Sequence, residues 1–129
     1  MQWNLEVVPV CVADLDEAKQ FYAERVGFHL DLDLWVSDAQ RVVQLTPPGS
    51  GSSIQLKSGE TRLDGLQLVV TDVDAVRAEL VGRGVDVSEV MHFENGVRVP
   101  GRGEDWNSFV FFCDPDGNAW MVQERPARP

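Results

Sequence analysis

The chain repeats itself. Residues 5–18 read LEVVPVCVADLDEA and residues 63–76 read LDGLQLVVTDVDAV. Asp14 then aligns with Asp72 and Asp16 with Asp74, an offset of 58. Such a duplication restricts the chain to two copies of one supersecondary unit. Within each copy the hydrophobic period changes from two to about 3.6, so a strand runs straight into a helix. Val8, Val10 and Val12 alternate in the first strand, and Leu66, Leu68 and Val70 do so in the second. Asp14 stands where a helix N-cap belongs, with Glu17 at capping-box spacing. Asp72 can cap the second helix, and Asp74 falls in its first turn, where the dipole favours a carboxylate. Leu15, Ala18 and Tyr22 form one buried stripe; Val73, Val76 and Leu80 form its repeat. Gly27 closes the first helix and Gly82 or Gly84 the second.

Extended segments follow each helix. They are Phe28–Asp33, Arg41–Thr46 and Ser53–Lys57 in the first copy, and Val85–Val90, Ser108–Cys113 and Ala119–Glu124 in the second. Thr46-Pro-Pro-Gly and Asp114-Pro-Asp-Gly-Asn read as matching turns before the last strands. The expectation is an α+β fold of two βαβββ modules, residues 1–60 and 61–129, with the boundary near Ser58–Arg62. One helix covers one sheet face, so two such modules can curve their open faces around a shared cleft, with helices outside.

Composition narrows the function classes. The 129 residues carry 11 Lys and Arg against 21 Asp and Glu, a net charge of −10. That field repels phosphate backbones and anionic lipid, which disfavours nucleic-acid and membrane partners. No apolar run reaches membrane-spanning length. MQWNLEVV shows no basic region followed by an apolar core, so no secretion signal is expected. Cys11 and Cys113 make no staple pattern, and a cytoplasmic protein with reduced thiols is the simpler expectation.

The run from Asp14 through Phe21-Tyr22 to Gly27-Phe28, with Asp114-Pro-Asp-Gly-Asn ahead of a hydrophobic strand, resembles the vicinal oxygen chelate superfamily. That superfamily includes glyoxalase I, extradiol dioxygenases and the fosfomycin- and bleomycin-resistance proteins. The resemblance spans essentially the whole chain and implies paired βαβββ modules, a homodimer, and a cleft on the concave sheet face. It implies metal ligands on the first and last strand of each module. Carried over seven residues before each capping Asp, the first-strand positions hold Val7 and Gly65; the last-strand positions hold Gln55 and Met121. Two of the four offer no donor and a thioether is a poor partner for hard ions, so no metal cofactor is expected.

Strand alternation points Val7, Pro9 and Cys11, Gly65, Gln67 and Val69, Ser53 and Gln55, and Ala119, Met121 and Gln123 into the cleft. Such a lining suits either a small-molecule pocket or a packed sheet interior. Phe109, Phe111 and Cys113 give one strand an aromatic face, either core packing or a wall for a flat ligand. Residues 93–107, FENGVRVPGRGEDWN, read as a long binding loop in which Trp106 could fold over a ligand. There Arg98 or Arg102 could meet an acidic group or stay solvated. His92, beside that loop, is a substrate contact, a lone general base or a surface residue; His29 is a surface residue. Cys11 has no activating neighbour and reads as a small buried hydrophobe. Asp31 and Asp33 alternate with leucines and are expected to share one solvent-facing side.

The expected ligand-binding residues are therefore Cys11, Gln55, Gln67, His92, Arg98, Trp106, Phe111 and Met121, with no catalytic residue identified. The leading expectation is a metal-free protein that sequesters a drug-like or metabolite ligand, a small organic molecule, in the inter-module cleft. The alternative is a lyase, isomerase or dioxygenase-like enzyme of the same superfamily.

Overall fold

The computed structural model describes residues 1–127. The chain divides into two compact units, one ending at Arg62 and one beginning at Leu63. In the first unit β1 (Val7–Val12) leads into α1 (Leu15–Gln20), followed by β2 (His29–Trp35), β3 (Arg41–Thr46) and β4 (Ser53–Ser58). Asp14 caps α1 by accepting the Glu17 amide at 3.1 Å. The helix continues over Phe21–Val26 in wider, π-type winding. Gly27 stops it at φ 94°, a left-handed conformation that a side chain would resist. The strand order is β1-β4-β3-β2, with β1 parallel to β4 and the other pairs antiparallel.

The first core lies between the helix and one sheet face. Val10, Val12, Val43, Leu45, Ile54 and Leu56 meet Ala18 and Tyr22 there, all buried. Tyr22 packs edge-on to Phe21 and stacks on Phe28. A bulge in β2 between Leu30 and Leu32 shifts the register there. Asp33 faces the helix side, bonded to Lys19 and Arg41 at 2.8 Å. Asp31 instead accepts from Gln44 and Thr46. The two aspartates therefore do not share a side: an extra residue in a strand reverses the alternation beyond it.

In the second unit β5 (Asp64–Val70) leads into α2 (Val73–Gly82), then β6 (Met91–Glu94), β7 (Val97–Pro100), β8 (Phe109–Cys113) and β9 (Ala119–Glu124), in the order β5-β9-β8-β6-β7. Asp72 caps α2 through the Ala75 amide at 3.0 Å. Val73, Leu80, Val110, Phe112, Trp120 and Val122 form the buried core under α2. Phe112 and Trp120 stack nearly parallel within it.

This sheet differs from the sequence expectation in two places. Residues 85–90 do not form a full strand; Val87 makes one isolated bridge to Phe112. The Val85 amide is already spent on the helix-end carbonyl of Leu80, and the Ser88 hydroxyl accepts the Phe111 amide at 2.9 Å. The segment expected to be irregular instead begins with the β6–β7 hairpin. Asn95 and Gly96 turn it, with φ 51° and 78°. Both central residues of a type I′ turn need positive φ, which is why Asn-Gly is favoured there. The second unit thus carries five strands to the first unit's four.

Candidate functional site

α2 covers the Val110, Phe112, Trp120 and Val122 side of the second sheet, and strand alternation puts the other residues on the opposite side. Phe111 pairs with Met121 across β8–β9. Phe93 pairs with Arg98 across the hairpin. Phe93, Phe109 and Phe111 then contact one another, with Phe93 edge-on to both and the other two stacked. The guanidinium of Arg98 lies over the Phe111 ring, 3.6 Å from its centroid.

A cavity of about 570 Å³ opens beside this wall, lined by Arg98, Phe111 and Met121 together with Asp64, Asp86, Ser88, Cys113 and Ala119, among others. Its volume is that of a small-molecule site. Asp114, also on its wall, is buried and accepts from the amides of Asp116 and Asn118 and from the Asn118 side chain. Its charge is thereby spent on shaping the turn. Gly65 sits in a β5 bulge at φ 90°, with open space where a Cβ would stand.

Of the eight residues expected to bind ligand, Arg98, Phe111 and Met121 line this cavity. Gln67 donates to Gln123 at 2.6 Å, and Gln123 donates to the Trp106 carbonyl at 2.8 Å, so these join a neighbouring amide chain. Trp106 is half-exposed with φ 65°. Its side chain is not on the cavity wall. Gln55 belongs to the first unit, donating to Gln44 at 2.9 Å. Cys11 is there too, its Sγ 3.0 Å from where a Cβ on Gly59 would lie.

His92 pairs with Val99, so it points to the side of the hairpin opposite Phe93 and Arg98. Its Nδ1 is 2.8 Å from the Gly101 carbonyl and its Nε2 2.8 Å from Glu94. With an acceptor at each nitrogen, the carbonyl first and the carboxylate second, protonation is favoured and the imidazole pKa is raised. Both ring nitrogens are thus engaged within the protein. Arg102 is likewise committed, paired with Asp74 and Glu124. Asp72, Asp74 and Glu124 bring three carboxylate oxygens within 4.8 Å. Arg102 on two of them and the caps to Ala75 and Val73 account for their proximity.

Asp86 and Ser88 entered the wall unannounced because their segment reads as a plain strand. Asp64 did so because the bulge after it is invisible to strict alternation. The Asn95-Gly96 pair was the available signal that Arg98 sits on a hairpin strand facing Phe93.

The glyoxalase/bleomycin resistance protein/dioxygenase superfamily model matches residues 4–122. The uncharacterized protein YetH of Bacillus subtilis (strain 168) is 31% identical over 127 residues, 94% of this chain and 98% of that protein. TnmS3, described as an antibiotic binding protein from Streptomyces sp. CB03234, is 31% identical with a TM-score of 0.77, covering 96% of this chain and 97% of that one. A superfamily member from Sphaerobacter thermophilus DSM 20745 is similar in fold, at 22% identity, a TM-score of 0.76, and 96% and 98% coverage.

Proposed function

Because the chain belongs to the glyoxalase/bleomycin resistance protein/dioxygenase superfamily, we propose that it binds a small, flat organic molecule on the open face of its second sheet, and that it does so without a metal. The observation that carries this reading is the wall itself. Phe111, Met121 and the flat guanidinium of Arg98 border a cavity of about 570 Å³. Aromatic, thioether and guanidinium surfaces all favour planar π-systems. The likeness to an antibiotic-binding protein supports a drug-like ligand held rather than transformed.

The donor set supports the metal-free part. Val7 and Gly65 present no side-chain ligand atom, Gln55 offers a single neutral amide oxygen, and Met121 offers a thioether. A divalent ion needs three or four well-placed donors, and hard ions prefer oxygen. The net charge of −10 supports a role away from nucleic acid and anionic membranes. Homodimeric assembly and a cytoplasmic location belong to the same proposal, to be checked by light scattering and by fractionation.

Equilibrium dialysis against planar polycyclic antibiotics tests the binding. Phe111→Ala is expected to weaken binding about tenfold, or about 1.4 kcal/mol, with folding intact. Equal binding by Phe111→Ala would place the ligand elsewhere, and no binding across the panel would defeat the reading.

A further inference from the structure

Arg98, on the cavity wall, combines a planar donor group with hydrogen-bonding capacity that no described residue takes up. Its guanidinium lies over Phe111, 3.6 Å from the ring centroid, and among the described residues it makes no hydrogen bond or ion pair. Arg41 and Arg102 differ: Arg41 is paired with Asp16 and Asp33, and Arg102 with Asp74 and Glu124. Asp64 and Asp86 share the cavity wall with Arg98, but neither pairs with it. In a chain of charge −10, a guanidinium left without a carboxylate is a donor set kept open.

Building on the proposed binding of a flat molecule, we infer that Arg98 selects ligands carrying an in-plane acceptor: a carboxylate, a phenolate or a ring carbonyl. The five N–H groups of a guanidinium lie in its plane. Stacking on Phe111 therefore fixes where those donors point, and packing lowers the entropy cost of using them. A ligand lying along the same wall would bring its edge to that fork, where a carboxylate can accept two parallel hydrogen bonds. Asp64 and Asp86 are exposed, as is Arg98, but among the described residues neither carboxylate has a side-chain hydrogen bond or ring contact to orient it, so their pull on a cation is less directional.

Three matched probes test this: 1-pyrenecarboxylate, 1-pyrenemethanol and 1-pyrenemethylammonium, followed by fluorescence anisotropy at 0.15 M salt, where long-range repulsion is screened. The carboxylate is expected to bind about tenfold tighter than the alcohol, and the ammonium no tighter than the alcohol. Arg98→Met keeps an apolar stem on Phe111 and should erase the carboxylate preference, bringing carboxylate and alcohol affinities within threefold of each other whatever the absolute affinity. Arg98→Lys keeps the charge without the planar fork and should retain only part of the preference. An ammonium that binds tightest, or a carboxylate preference that survives Arg98→Met, overturns the inference while alcohol binding still supports the face. Failure of all three probes overturns both.

Discussion

Asn118 is the residue whose loss should cost the second unit most for its size. It is fully buried. Its Oδ1 accepts the Leu63 amide at 2.8 Å, and its Nδ2 donates to the Asp114 carboxylate at 2.8 Å. One side chain thus ties the start of β5 to the turn between β8 and β9, the segments that supply Asp64, Asp114 and Ala119 to the cavity. Asn118→Ala strands a partly buried amide and takes one donor from a buried carboxylate. The stranded amide costs about 1–3 kcal/mol, and a lost hydrogen bond to a charged group about 1.5–3 kcal/mol. The expected destabilisation is about 3 kcal/mol, a large share of the stability of a domain this size. In melting temperature that is roughly 10 °C. Urea unfolding followed by Trp120 emission measures it locally, because Trp120 is buried in this unit while Trp3, Trp35 and Trp106 are exposed. A loss below about 0.5 kcal/mol, the range of a surface substitution, would mean that Asn118 does not hold these segments together.

Two ion pairs predict opposite pH dependences, and one core residue sets the scale for the first unit. Arg41 and then Lys19 hold the Asp33 carboxyl well below the ordinary range. Its stabilisation is present above the unfolded pKa of about 4 and is lost as pH falls through the folded value. Asp33→Asn should be less stable than wild type at pH 7, with the two stability curves converging in acid; parallel curves would contradict this. The His92 pKa is raised, so its stabilisation is present below about pH 6.5 and lost as pH rises through the folded value. His92→Gln should flatten that decline, and an NMR titration midpoint below about 6.5 would count against it. Leu45, fully buried between β3 and α1, should cost about 2–5 kcal/mol as Leu45→Ala in circular-dichroism unfolding; a smaller value would mean the first core is loosely packed.

Local signals carried most of the fold. The strand-to-helix passages were legible because both capping aspartates sit directly before an apolar stripe, and Asp14 and Asp72 accept the amides that capping requires. Alternation also separated Phe111 and Met121 from Phe112 and Trp120, because a period of two is imposed by the pleat itself. It failed where the backbone broke the period. The β2 bulge sends Asp31 and Asp33 to different partners, and nothing in LDLDL marks it. The hairpin was within reach, since Asn95-Gly96 is a turn signal lying between two short β-rich runs. That turn also places His92 beside Glu94, two residues along one strand face. The contact of Arg98 with Phe111 was out of reach. It depends on β6 lying between β7 and β8, a pairing of segments that no local pattern encodes.

The proposed ligand binding needs Phe111 and needs no metal. Its most direct test is calorimetric titration of chelator-treated protein with 1-pyrenemethanol, repeated after adding zinc, nickel, manganese and iron(II). The same Kd within twofold is expected in every case, with about tenfold weaker binding by Phe111→Ala. Binding that appears only with a stoichiometric metal ion would contradict it.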